Sequence, residues 1–394
     1  MINESWIELQ SQAFAHNIAL YKNIIGPRSL ALVLKCNAYG HGLLPIAHLA
    51  QQNNHIQWLC VARLHEALQL RTHGIKKPIL LLSPLLGSYE EAIMHEVDLM
   101  VHNVECINAI FHAAKRCNTR ARVHIKVDTG LSRFGAISSQ ALELIEFIHA
   151  NPFLQLVGIY THFSDADNLE PSYTHLQQER FYSFVHDLKM KKKDIEYIHC
   201  ANTAFASTGN LGPTNLVRIG AGAYGMWPSD AVEKITKSID PNFTLQQIVS
   251  WKTSIVRLTK VDPGTPIGYS KTAIAKKVTI IGFIPVGYYD GYDRRLSNKG
   301  YVYINGKKAP VIGRVGMNIT AIDVTTIANV AVGTQVELLG DKPGITFDAI
   351  AKMTKSYNPR EFASKINSEI PRVVVPCEAE NTITKRKKQD HVYY

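Results

Sequence analysis

Short apolar runs alternate with amphipathic stretches through the first half of the chain. Eight such runs occur: LALVLK from Leu30, WLCVA from Trp58, PILLLS from Pro78, DLMVH from Asp98, RVHIKVD from Arg122, LVGIYTH from Leu156, IEYIHC from Ile195 and LVRIG from Leu216. They are β-branched or leucine-rich and too short for typical helices, as expected of parallel strands buried on both faces. Between them, 109–117, 140–149 and 173–189 carry apolar residues at i, i+3, i+4 spacing and predict helices. Ser138, Ser139 and Ser172 are read as their N-caps. Eight alternations of strand and helix predict an α/β fold with an N-terminal (β/α)8 TIM-type barrel, its strands lying within 30–225.

The pattern changes from Leu245 onward. SWKTSIVRLTKV, KVTIIGFIPVG, GYVYING, KKAPVIG, NITAIDV and TQVELLG read as strands without long helices between them. Asn305-Gly306 is a two-residue hairpin signal. A helix is predicted over 346–355 and a last strand over 372–376. The chain is therefore divided into a barrel domain over 1–240, a C-terminal mostly-β domain over 241–378 and a polar tail over 379–394 expected to be disordered. The first ten or so residues are expected to pack with the β domain, and the polar stretch 228–243 is read as the junction.

Composition narrows the function classes. A chain of 394 residues fits one large and one smaller domain with an ordinary core. The net charge of +10 would permit nucleic-acid or membrane-surface binding. The excess is dispersed, however, and the two compact runs, Lys191-Lys192-Lys193 and Lys385-Arg386-Lys387-Lys388, read as solvated surface and tail. No nucleic-acid or membrane partner is expected. The six cysteines are far apart, with no CxxC pair, so they read as reduced, mostly buried thiols rather than a metal or redox site. MINESWIELQ is not a secretory signal, and no apolar run approaches the roughly 20 residues of a membrane span. A cytoplasmic location is expected.

In such a barrel the active site collects at the C-terminal ends of the strands. The polar residues there are Lys35, Lys126 with Asp128, His162, Asn202 with Thr203, and Arg218 with Gly220. A lysine ending an apolar strand is costly unless its amine is paired or used covalently. Partly desolvated, it has a lowered pKa and forms Schiff bases with aldehydes; taken alone, Lys35 reads more readily as a snorkelling strand-end lysine. The NAYGHG that follows places Gly40 and Gly42 at what reads as a helix N-terminus, where Tyr39 can reach an anion such as a phosphate.

KCNAYGHG resembles the pyridoxal-phosphate motif of the alanine racemases. The resemblance continues in order, from about Trp6 to Arg372, through HIKVDTGLSRFG, GIYTHFSDAD, HCANT, LVRIGAGAYG, IGYSKT, PVGYYDGYDRR and GRVGMN. It implies a fold type III enzyme with pyridoxal 5'-phosphate as cofactor, interconverting L- and D-alanine by two bases and supplying D-alanine for peptidoglycan. Lys35 matches the lysine that holds the cofactor covalently and serves as base toward the D-enantiomer. Tyr269 matches the base on the opposite face, toward the L-enantiomer; one takes the α-proton and the other returns one. His162 and Arg218 match residues hydrogen-bonded to that tyrosine, and Arg218 matches an arginine against the pyridine nitrogen. Arginine only donates, so the ring nitrogen stays unprotonated and return of the proton is favoured over transamination. Tyr39, Asn202, Thr203, Gly220 and Ala221 match residues that hold the cofactor, the phosphate above all. Lys126 and Arg133 match a pair in which the lysine is often carbamylated and orients the arginine toward the substrate carboxylate. Met317 matches a residue whose backbone amide meets the same carboxylate, and Tyr288 one that lines the entry corridor. In the family, Tyr269 and Met317 come from the partner subunit, so the resemblance implies a homodimer with shared active sites.

Four positions depart from the family pattern. Asn318 stands where aspartate is usual, Gly316 where serine or cysteine is common, and Arg360 where many members have a phosphate-binding tyrosine. Cys36 replaces a common alanine and is read as packing. Arg360 and Asn318 keep a broader amino-acid racemase, acting on serine or longer side chains, as the alternative. The decarboxylases of the same fold type use an acid at the pyridine nitrogen and a GEPGR-type motif absent here. Single-barrel cofactor-binding proteins lack the second domain.

Overall fold

The computed structural model describes residues 4–191 and 195–375. Lys192, Lys193, Cys377, the second basic run and the polar tail lie outside the described residues.

Strand β1 (Ser5–Gln10) leads into a helix, Ser11–Ile25. The eight apolar runs then form β2 (Ser29–Val33), β3 (Trp58–Val61), β4 (Ile79–Leu81), β5 (Val97–Val101), β6 (Ala121–Lys126), β7 (Leu154–Tyr160), β8 (Tyr197–His199) and β9 (Leu216–Ile219). From β2 to β8 each strand pairs in parallel with the next, and β9 pairs with β2. Backbone bonds from Asn215 N to Ile198 O (3.0 Å) and from Arg218 N to Ala201 O (3.1 Å) bridge β8 and β9 and close the ring. Period-2 alternation sorts the side chains. Leu30, Leu32, Val123, Ile125, Val217 and Ile219 join the core beneath the outer helices. Ala31, Val33, Trp58, Cys60, Leu80, Val157 and Leu216 fill the lumen.

The helices predicted from i, i+3, i+4 spacing lie within Val104–Arg116, Ser138–Ala150 and Ser172–Met190. Their N-caps differ from the prediction. Ser138, Ser139 and Ser172 are already helical, and the cap positions are Ile137 and Pro171. Gln140 Oε1 accepts from Ile137 N at 3.2 Å and Glu170 Oε1 from Ser172 N at 3.0 Å, so longer polar side chains replace the serine hydroxyls there.

The second unit contains β10 (Val249–Ser254), β11 (Arg257–Val261), β12 (Pro266–Ile267), β13 (Ala273–Ile274), β14 (Thr279–Ile284), β15 (Tyr301–Ile304), β16 (Lys307–Pro310), β17 (Thr320–Asp323), β18 (Gln335–Leu339) and β19 (Arg372–Val375). A six-stranded sheet runs β16-β15-β18-β10-β1-β19, beside the three strands β11-β14-β17 and the pair β12-β13. The run SWKTSIVRLTKV, read as one strand, is two. Ile255 N bonds to Thr334 O and Val256 N to Phe283 O, so the chain changes sheets between them. Asn305 (φ 49°) and Gly306 (φ 75°) form the β15–β16 turn with both residues at positive φ, as a type I′ hairpin requires. Two helices at the junction and in this unit lie outside the sequence expectations. Asp230–Ile239 occupies the junction stretch with little more than Val232 and Thr236 buried, capped by Ser229. Pro359–Lys365 is capped by Asn358, whose Oδ1 accepts from Arg360 N at 3.2 Å. No helix among the described residues is long and apolar enough to cross a membrane.

Candidate active site

The segment after β2 determines where Lys35 points. Lys35 opens a tight turn in which Cys36, Asn37, Ala38 and Tyr39 all take φ between 51° and 57°. Each L-residue in that left-handed region costs roughly 1–2 kcal/mol. Side chains offset this. Glu66 is buried and accepts from the amides of Cys36 (2.6 Å), Ala62 (3.0 Å) and Arg63 (3.0 Å), while Asn37 Oδ1 accepts from Leu43 N (2.7 Å). Gly42 is the N-cap of the helix Leu43–Gln52, so the glycine pair leads into a helix N-terminus as expected, with Tyr39 still inside the preceding turn. Gly40 (φ 85°) serves another end: a Cβ there would collide with the carbonyl of Ala363, and Arg372 Nη2 donates to Gly40 O at 2.9 Å. The lysine turn is thus fastened to the second unit.

Lys35, Tyr39, Lys126, Arg133, His162, Asn202, Thr203, Arg218, Gly220 and Ala221 line one cavity of 730 Å³ at the C-terminal ends of the barrel strands. Cys36 also lines it and is exposed, which corrects its reading as a packing residue; Cys60, Cys106 and Cys200 are buried as expected. Among the wall residues that sequence reasoning missed are Tyr160, Phe134 and Asn358. Tyr269, Met317 and Tyr288 are elsewhere. They are 74%, 55% and 42% exposed on the β domain and do not line this cavity. Tyr288 N bonds to Gly316 O and Tyr289 N to Met317 O, so the loops of Tyr288 and Met317 form one surface.

The cavity is cationic. Lys35, Lys126, Arg133, Arg218 and Arg360 face it, against Asp167 and Glu361, both well solvated. Burial lowers the pKa of Lys35, and the charges of Arg133 and Arg360 lower it further. Burial, Arg133 and Arg218 bring Lys126 down to about 8. Burial raises Tyr39 to about 12 and, with the Arg218 charge, holds His162 neutral. Arg218 is buried among acceptors: Nη1 donates to His199 Nδ1 (2.8 Å) and His199 O (3.0 Å), and Nη2 to Thr161 O (2.9 Å) and His162 Nδ1 (3.2 Å). Its Nε has no acceptor among the described residues. Among the described residues no carboxylate touches this guanidinium.

In the same wall lies a cluster of donors that could cradle an anion. Thr203 Oγ1 accepts from Gly220 N at 3.0 Å, which leaves its own O–H to donate. A Cβ at Gly220 would stand 2.5 Å from Tyr39 Oη, so only glycine admits that phenol. Ala221 opens a 3-10 turn whose first amides have no partner within it. Asn202 both lines the cavity and caps the following helix, accepting from Phe205 N at 3.0 Å. Arg360 completes the wall; its Nε donates to Asn358 Oδ1 at 2.9 Å and its Nη2 is 4.0 Å from Asp167.

Comparison with known proteins places this geometry. Residues 9–228 match the model of the alanine racemase N-terminal domain, and residues 248–374 that of the C-terminal domain. Alanine racemase from Methanococcus maripaludis is 36% identical over 377 residues, covering 93% of this chain and 98% of the relative. That from Desulforamulus reducens is 36% identical over 373 residues, covering 94% and 98%. Among solved structures, alanine racemase from Clostridium difficile 630 superposes with a TM-score of 0.87 at 29% identity, covering 95% of this chain and 96% of that one. The alanine racemase from Bacillus anthracis with bound L-Ala-P gives 0.84 at 30% identity, covering 95% and 96%. With both domain models matched and these relatives aligned almost end to end, the chain belongs to the alanine racemase family.

Proposed function

We propose that the protein interconverts L- and D-alanine, with pyridoxal 5'-phosphate as cofactor, in a cytoplasmic homodimer, and thereby supplies D-alanine for peptidoglycan. The observation that carries this reading is the cavity itself: a desolvated lysine amine, an anion cradle and a carboxylate-free arginine meet in one space. The donor set fits the cofactor. Tyr39, Thr203, Gly220 and Ala221 would take the phosphate, Asn202 and His162 would flank it and the ring, and Arg218 Nε would face the ring nitrogen. When bound, pyridoxal phosphate supplies the electron-withdrawing system that makes the substrate α-C–H acidic.

The chain's residues then do the rest. The Lys35 amine, kept neutral more readily by its surroundings, takes or returns the α-proton on one face. The Tyr269 phenol of a second subunit works on the other face. Arg133, with the Met317 amide of that subunit, orients the substrate carboxylate, and Tyr288 lines the approach. Arg218 can only donate, so it does not protonate the ring nitrogen, and return of the proton to the α-carbon is the favoured exit. The test is D-alanine formation from L-alanine by purified protein with added pyridoxal phosphate, beside serine and longer amino acids. Absence of D-alanine, or faster turnover of another amino acid, defeats the reading.

Two further outcomes concern the cofactor wall. Arg360 places a charge where a phosphate would lie beside Tyr39. Arg360→Leu is expected to weaken pyridoxal phosphate binding about 10-fold or more, the scale of a hydrogen bond to a charged group, and to leave pyridoxal without its phosphate unaffected. Equilibrium dialysis of both compounds decides it. Lys126 is buried, with no acidic partner in contact among the described residues. Its folded pKa lies below the unfolded 10.5, so the unfolded state holds more proton and stability rises with pH between about 8 and 10.5. In CO2-free buffer Lys126→Met is expected to add about 3 kcal/mol at pH 7 and less than about 1 at pH 10, read by urea unfolding. Loss of that gain when bicarbonate is added to both proteins is the signature expected of a carbamate on the wild-type amine.

A further inference from the structure

Below the cavity the barrel lumen holds a continuous polar chain. Arg122 Nε donates to Asp98 Oδ1 at 2.9 Å. Asp98 Oδ2 lies 3.3 Å from His124 Nε2, His124 Nδ1 lies 3.1 Å from His199 Nε2, and His199 Nδ1 lies 2.8 Å from Arg218 Nη1. Arg122 is about one-third exposed; Asp98, His124, His199 and Arg218 are all buried.

The direction of every bond is forced. Arginine has no acceptor, so His199 Nδ1 accepts and its proton sits on Nε2. That proton is donated to His124 Nδ1, which must carry a lone pair. The His124 proton is then on Nε2, aimed at Asp98, whose carboxylate only accepts. A second proton on either ring would set two N–H groups against each other, so both imidazoles are neutral. Burial, with the Arg218 charge, pushes the pKa of His199 well below its ordinary value, in agreement.

The chain answers a charge problem. Arg218 is a buried cation whose contacts are carbonyls, imidazoles and the face of the Tyr160 ring at 5.3 Å, and a buried charge without a counter-charge is costly. Asp98 is the buried carboxylate joined to it by unbroken hydrogen bonds. Aligned bonds polarise one another, so the Asp98 charge makes His199 Nδ1 the stronger acceptor. The surroundings fit the rings closely. A Cβ at Gly158 would stand 2.5 Å from His124 Nδ1, Trp58 meets His124 edge-on at 5.4 Å, and Tyr160 stacks on His199 at 4.7 Å and 9°.

We propose that Asp98, His124 and His199 are positioning residues for Arg218: a one-directional relay through the barrel lumen that orients the guanidinium at the cavity floor and balances its charge from the far end. The relay stands on the geometry alone; its effect on turnover rests on the racemase reading. The test uses the full chain labelled with 15N-histidine. In the wild type at neutral pH, the His124 and His199 rings, assigned by His124→Gln and His199→Gln, are expected as neutral Nε2–H tautomers. In Asp98→Asn both ring N–H signals are expected to move together. An Nδ1–H tautomer or a protonated ring at either residue overturns the proposal, as does a shift at His124 with none at His199. With cofactor and L-alanine, Asp98→Asn is expected to lower kcat about 10-fold with KM within twofold; wild-type kcat overturns the positioning role. If the wild type does not racemise alanine, the functional reading falls and the tautomers still decide the relay. If Asp98→Asn does not fold, the wild-type tautomers decide it alone.

Discussion

Lys35→Ala is expected to reduce D-alanine formation about 10⁴-fold or more, the scale seen when an essential nucleophile or base is removed. The side chain has two assignments in the proposed reaction, holding the cofactor and moving a proton, and among the described residues no other amine is placed to take them. Lys126 is in the same cavity, but it lies at the end of β6 beside Arg133 and Arg218. The substitution should leave the turn intact, because the turn is held by the backbone of Cys36, by Glu66 and by Asn37 rather than by the lysine amine. The protein should therefore remain folded by circular dichroism and still take up pyridoxal phosphate through the cradle, while the visible band of covalently held cofactor is lost. Added methylamine should restore a small part of the proton transfer by occupying the vacated space. Residual activity above about 1% of wild type would remove Lys35 from both assignments.

Tyr269→Phe and Lys35→Ala, each inactive alone, are expected to regain activity when unfolded together and refolded as a mixture. Tyr269 is three-quarters exposed and outside the cavity that contains Lys35, so in the proposed dimer it would serve the cavity of the second copy. In a symmetric pair each subunit gives its surface to the other's site. Random pairing makes about half of the dimers mixed, and each mixed dimer has one site with both Lys35 and Tyr269 intact. About a quarter of wild-type activity is therefore expected, against almost none for either variant alone. Recovery near zero, with mixed dimers shown by mass spectrometry, would mean that both bases act from one chain.

The barrel strands were legible because parallel strands between helices are apolar on both sides, and short apolar runs recurring between amphipathic stretches fit little else. β1 was harder. SWIELQ alternates, with Ile7 and Leu9 buried, and its partners are some 240 and 365 residues away, so only a general expectation of packing with the β domain was available. The helix Pro359–Lys365 buries Pro359, Phe362 and Ala363 in seven residues, too short for periodicity to show. The cavity residues were found from strand ends and from family resemblance together. The lumen relay was not found, although its signal was present: in RVHIKVD the polar Arg122, His124 and Lys126 alternate with Val123 and Ile125. Reading the run as wholly apolar concealed a strand with one polar face, which only a barrel interior could accept. The turn at 36–39 had no sequence signal, because four non-glycine residues at positive φ run against local preference and are held there by Glu66, some 30 positions on.

The position of β1 in the second sheet has a consequence for biosynthesis. Between β10 and β19 it is an interior strand, yet it precedes both in the chain and leaves the ribosome before either. At 5–20 residues per second, about 12–48 s pass before the chain reaches β10, and about 18–72 s before it reaches β19. Throughout that interval the barrel can close while Ile7 and Leu9 lack their neighbours and both edges of β1 stand open. The nascent half-chain is therefore the form of this protein most exposed to wrong pairing, and slowing translation between the two halves should lower its soluble yield more than slowing it within either.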